Sequence, residues 1–170
     1  MKRILLLLVC TLVPVLAGCG YRVGSIGNPQ IKSIAFAPIV NETPIPGVRE
    51  YMRQALAEAF QFDSSYKVKD LYTADCVLYG RITNAELSAT NITSSPTGST
   101  FITREFTITL TFEFTVIIPG QADALIPATQ VTGSSQYQVP IDQFQSQASG
   151  ALQACRRIAQ EVVWDTAEGW

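Results

Sequence analysis

The sequence contains no histidine, which removes the side chain most used as a general base near neutral pH and the commonest metal ligand. It has no CxxC pair, no glycine-rich loop of the kind that cradles phosphate, and no group of carboxylates at helical spacing facing a core. Asp75 and Glu86 lie in one extended stretch and would not converge on a substrate. Neither an enzyme nor a metal site is expected. Charge is scarce as well. Charged residues make up 15% of the 170, and the formal net charge is −2, a balance that does not suit nucleic acid. The apolar run at residues 4 to 16, ILLLLVCTLVPVL, is shorter than the roughly twenty residues a membrane-spanning helix needs.

That run fits an export signal instead. Lys2 and Arg3 precede it and Leu16-Ala17-Gly18-Cys19 follows it, giving a basic region, an apolar region and a small-residue cleavage site. The four residues LAGC resemble the bacterial lipobox. That resemblance implies transfer of a diacylglyceryl group to the Cys19 thiol, cleavage between Gly18 and Cys19, and acylation of the new amino terminus. Residues 1–18 then form a lipoprotein signal peptide, residues 19–30 a lipidated tether rich in glycine and polar residues, and residues 31–170 a single domain. The acyl chains on Cys19 would hold the protein on a membrane surface, and no other cofactor is expected. Residue 20 is glycine rather than the aspartate that signals inner-membrane retention, which points to the outer membrane of a Gram-negative-type bacterium. Loss of Lys2 and Arg3 would take the net charge to −4. The N-x-S/T matches at Asn41 and Asn91 are read as chance in such a chain.

The domain is organised around FITREFTITLTFEFTVII, residues 101–118. From Phe106 to Val116 apolar and polar residues alternate without a break, so Phe106, Ile108, Leu110, Phe112, Phe114 and Val116 share a core face, opposite Thr107, Thr109, Thr111, Glu113 and Thr115. Upstream, residues 31–39 predict a strand ending near Pro38, and Val48, Met52, Ala55, Leu56, Ala59 and Phe60 predict a helix. A short extended piece is expected at Tyr66 to Val68. In residues 74–90, Cys76, Leu78, Gly80 and Ile82 share one strand face, with a bulge expected near Asn84 and Ala85. Residues 119–128 read as a turn-forming stretch and residues 129–140 as a weaker edge strand. A stripe from Phe144 to Val163 predicts a long last helix over 142–168, with Asp142 as its N-cap. The order is strand, helix, three strands, helix, an α+β arrangement with a long central hairpin.

Three sets of residues are candidate sites. Cys76 and Cys155 both sit on apolar faces in a compartment that permits disulfides, and a bond is expected if the last helix crosses the second strand; otherwise they are two buried thiols. Arg81 and Arg104 flank the hairpin and are candidates for contact with phosphate or sugar acids. The loop from Asn91 to Thr100, with Ser95 and Thr97, carries no charge and is a candidate partner surface.

The chain resembles the LptE family of lipopolysaccharide-assembly lipoproteins in three places: LAGCGYRV, IKSIAFAPIVNETPIPGVREYMRQAL and ADCVLYGRI. The resemblance implies a two-layer sandwich in which two helices cover one face of a four-stranded sheet, in the order β-α-β-β-β-α. It also implies a plug in the lumen of the outer-membrane barrel LptD, assisting barrel assembly and bringing lipopolysaccharide to the outer leaflet. A subunit of a curli- or polysaccharide-type secretion complex is the alternative, since strand-helix-strand openings of this type occur there too.

Overall fold

The computed structural model describes residues 31–94, 101–138 and 143–168. Its elements are β1 (Ser33–Phe36), β2 (Val40–Asn41), α1 (Val48–Asp63), β3 (Lys67–Val68), β4 (Cys76–Ser94), β5 (Phe101–Ile117), β6 (Ala124–Gln138) and α2 (Gln143–Glu168). They make one sheet of six strands in the order β3-β1-β4-β5-β6, with β2 also paired to β4. The alternation in β5 has the predicted consequence: Ile108, Leu110, Phe112, Phe114 and Val116 are buried beneath the helices, and Phe106 stacks on Tyr137 of β6 at 5.7 Å. At about 3.3 Å per residue, β5 reaches on the order of 55 Å.

The sheet has six strands where four were expected, and the added pieces explain why. β1 and β2 both run parallel to β4 along the same edge, with Ile34 opposite Cys76 and Asn41 opposite Ile82. Pro38 divides them, because it has no N–H for the ladder. Backbone bonds continue on either side of the gap, from Ala37 N to Leu78 O at 2.9 Å and from Glu42 N to Ile82 O at 3.0 Å. Beyond Pro38, where the first strand was expected to end, Asn41 closes a further short strand and builds the turn after it. Its Oδ1 accepts from the Thr43 N–H at 3.0 Å, and its Nδ2 donates to the Ile45 carbonyl at 3.0 Å. β3 is the short extended piece predicted at Tyr66 to Val68 and pairs with β1 on its far side. The observed order is therefore β-β-α-β-β-β-β-α.

Two boundaries also differ from expectation. β6 begins at Ala124, inside the stretch read as turn-forming, because an edge strand tolerates Pro127. β4 continues to Ser94, so Asn91 lies in the strand opposite Glu105 rather than in the loop. The bulge predicted near Asn84 is present as a register shift between Ile82 and Asn84. Ser95, Thr97, Thr100, Cys19 and Asp142 lie outside the described residues.

The helices pack side by side on one face, and their buried stripes share a single core with the inner face of the sheet. α1 starts at Gly47, whose φ of 77° suits glycine, and ends at Ser64, whose N–H reaches the Phe60 carbonyl at 3.1 Å. α2 lies over β5 and β6. Its buried stripe is largely small, with Ala151, Ala154, Cys155 and Ala159 around Ile158, and this lets it sit close to the sheet.

The expected Cys76–Cys155 bond is absent: both are free thiols. Each occupies the apolar face it was assigned, so the faces were right and the position along the molecule was wrong. Cys76 opens β4, where its Sγ lies 3.5 Å from the Ser33 carbonyl oxygen. Cys155 follows Ala154, which stands over Gly133. Gly133 is in register through Leu110 with Ala85, nine residues further along β4 and on the order of 30 Å from Cys76 along the strand. A disulfide needs Cα atoms within about 7 Å. Burial pushes both thiols up to about 12.

Candidate partner-facing surface

The face of the sheet away from the helices is built from the second half of each alternation. Across β4, β5 and β6 the residues fall in rows: Ser88, Thr107 and Gln136; Glu86, Thr109 and Ser134; Asn84, Thr111 and Thr132. The side chains are hydroxyls and amides, and Glu86 is the one charge in these three rows. Threonine is at home here, because its branched Cβ suits the pleat while its hydroxyl meets water or a partner. The Thr90 and Thr107 hydroxyls are hydrogen-bonded at 2.6 Å, which fixes them on the β4–β5 seam.

The next row contains the only ion-pair cluster among the described residues of this face. Nε and Nη2 of Arg81 donate to Glu113 Oε1 at 3.1 and 2.8 Å, and Arg81 Nη1 lies 3.6 Å from Glu42 Oε1. Gln130 Nε2 donates to the other Glu113 oxygen at 3.1 Å. The hydrogen bond from Gln130, and then Arg81, hold the Glu113 carboxyl below its ordinary value; Glu113 holds Arg81 above its own. The candidate phosphate contact is thus shared by two carboxylates, and an incoming anion has to compete with both. Beside it, Pro38, Val40, Tyr79, Thr115 and Ala128 line a shallow depression of about 250 Å³. Arg104 lies on β5, and its side chain is outside the described residues.

A second surface was not foreseen. Between α1 and α2, Ala55, Ala59, Phe62, Val163 and Trp164 line a groove of about 470 Å³ crossed by the Glu58–Arg156 pair at 3.4 Å. Phe62 is 94% exposed and Trp164 61%. The sequence did carry a sign of it: Phe62 lies two positions after Phe60 and Trp164 one after Val163, so both aromatics fall off the buried helical stripe.

Among the described residues no group of three or more histidine, cysteine or carboxylate side chains is placed to hold a metal. No described helix is long and apolar enough to cross a membrane.

The fold is shared with other proteins at low identity. A minor lipoprotein from Acinetobacter baumannii superimposes with a TM-score of 0.51 at 11% identity, covering 81% of this chain and 94% of the other. A protein from Xanthomonas campestris gives 0.51 at 13% identity, covering 86% and 90%. No curated protein matches. Residues 31–166 match the LptE family, described as Lipopolysaccharide-assembly. That match takes in every described element from β1 almost to the end of α2, and the chain belongs to the LptE family.

Proposed function

We propose that this chain is an outer-membrane lipoprotein, anchored through acylated Cys19, that plugs the lumen of an LptD-type barrel and assists its assembly in the transport of lipopolysaccharide to the outer leaflet. The observation that carries the reading is the hydroxyl and amide face of β4, β5 and β6, in which three successive rows hold a single charge. Barrel interiors are polar, and a face of this kind can exchange water for lumen side chains without burying unpaired charge. The family match supports the same reading. Asn91, at the far end of β4, and the loop residues Ser95, Thr97 and Thr100 remain candidates for contact with the same partner. Contact with the barrel carries more of the proposal than direct lipopolysaccharide binding does, since Arg81 is already paired with Glu113 and Glu42.

The test is copurification from outer membranes followed by mass spectrometry. A large barrel protein in stoichiometric amount is the expected result. A homo-oligomeric ring without a barrel would instead point to a secretion complex, and neither would leave only a tethered envelope protein. For the anchor, Cys19→Ala should abolish labelled-palmitate uptake and release the protein from the membrane.

A further inference from the structure

β4 has an open edge. Its first part is covered by β1 at Cys76 to Leu78 and by β2 at Arg81 and Ile82. Beyond Ile82 only β5 pairs with it, and no described strand occupies the other side. Register shifts fall between Ile82 and Asn84 and between Ala89 and Asn91. Between them, Asn84 to Ala89 form six uninterrupted pairs with Thr111 to Phe106. Six residues is the length of an ordinary strand.

Unpaired strand edges are normally blunted by proline, by lysine, or by a side chain laid across them. The opposite edge of this sheet, β6, is treated that way. It carries Pro127, and Arg157 of α2 donates to the Ser134 carbonyl at 2.6 Å. The Asn84–Ala89 edge has no proline and no lysine, and its one charge is Glu86. The side chains beside it are unfinished as well. Leu87 is 48% exposed although its cross-strand partner Ile108 is fully buried. Ala85 and Ala89 flank Leu87 on the same helix-side face; Ala85 packs against the margin of the core, and Ala89 beyond it is exposed.

We propose that the Asn84–Ala89 edge of β4 receives an extended segment of the barrel protein as an added strand. The occupant follows from the chemistry of the edge. A row of backbone donors and acceptors is matched by another extended backbone. Side chains on the helix side of the added strand must be apolar, to cover Leu87 between Ala85 and Ala89. On the other side they must be polar, with a lysine or arginine near Glu86, because opposite charges on neighbouring strands attract. The inference rests on the plug reading and adds a definite seam to it: main-chain pairing at the flank of the hydroxyl face.

Hydrogen exchange read by mass spectrometry, on the free lipoprotein and on the copurified complex, tests it. In the complex, peptides covering Asn84–Ala89 should exchange on the order of a hundredfold more slowly than in the free protein, as newly paired amides do. Leu87→Lys should weaken barrel capture by about tenfold or more without shifting the melting midpoint, since Leu87 is half exposed; Gln153→Lys, on the exposed face of α2, serves as the charge-matched control and should leave capture unchanged. A complex that forms while Asn84–Ala89 exchanges as in the free protein overturns strand addition and leaves the plug reading intact. Protection of the edge in the free protein, together with a dimeric mass, assigns the edge to a second copy and also overturns it. If no barrel copurifies, both readings fall.

Discussion

Gly133 of β6 lies directly beneath the backbone of Ala154 in α2: a Cβ at residue 133 would sit 2.6 Å from the Ala154 carbonyl oxygen and 2.6 Å from Ile158 Cγ1. The neighbour is helix backbone, which cannot yield without moving the whole helix. Gly133→Ala should therefore cost about 1–3 kcal/mol, the range for overpacking a close contact. Denaturant melts measure it. A midpoint equal to wild type would mean that α2 is free to lift from the sheet.

Gly80 presents a similar contact on a different neighbour. A Cβ there would lie 2.2 Å from Phe112 Cζ, and Phe112 is fully buried and stacked on Phe114 at 6.2 Å. Gly80→Ala should destabilise by about 1–3 kcal/mol as well, with a change in the near-ultraviolet signal of the ring pair that Gly133→Ala does not produce.

On the plug reading, the hydroxyl face separates partner binding from folding. Thr109 sits at the centre of the three rows with a half-buried side chain, its Cα opposite Glu86 and Ser134. Thr109→Lys should change stability by less than about 0.5–1 kcal/mol yet weaken barrel capture by about tenfold or more, because the longer side chain, even paired across the strand with Glu86, adds bulk and a charge that must be desolvated against the lumen. Leu110→Asp, one residue on, points into the core and should unfold the domain. Undiminished capture by Thr109→Lys would turn attention to the helix side of the molecule.

Cys76 and Cys155 should resist alkylation in the native protein at pH 8, where thiols with values of about 12 remain protonated and buried. Both should react once the chain is unfolded. Mass analysis of a non-reduced digest should return the two peptides separately, and a linked pair would contradict the separation of the two residues along the sheet.

Asp75 joins the starts of β1 and β4. Its Oδ2 accepts from the Ser33 hydroxyl at 2.7 Å and from the Lys32 N–H at 3.0 Å, while its own N–H donates to Ser33 Oγ at 3.1 Å. The Ser33 bond, then the Lys32 bond, lower the Asp75 carboxyl below its ordinary value. Folding therefore favours the ionised form, so this contribution to stability is present above the ordinary aspartate value and is lost as pH falls through the lower, native one. Asp75→Asn should flatten the pH dependence of stability below about pH 4 and leave its slope near neutrality unchanged. An unaltered acid limb would exclude this junction as its source.

How far these features were legible in the sequence depends on the distance over which each is encoded. The alternation of β5 and the stripes of both helices are local, and residues a turn or a pleat apart declare their faces, down to the bulge beside Asn84. β2 holds two residues, and what makes it a strand is β4 alongside, about forty positions away in sequence; β3 is as short, and its extended form was legible while its pairing with β1 was not. The Arg81–Glu113 pair is of the same kind, with partners 32 residues apart. The cysteines show the remaining gap. Periodicity assigned each thiol to the core, but it does not say how far along the sheet a helix carries its stripe, and that distance keeps the two sulfurs apart.

The parallel pairing of β1 with β4 sets an order of events for the newborn chain. Ser33 to Phe36 are made first, but their partners Cys76 to Leu78 follow about forty residues later, whereas β4, β5 and β6 succeed one another in sequence and pair in that order. Closing the longer loop costs more entropy and waits on the shorter ones. As the chain emerges amino end first, its opening strand has only the two-residue β3 to pair with while the meander behind it forms. An apolar segment in that state is exposed to misassociation, and the sheet is most vulnerable before its first strand is seated on β4.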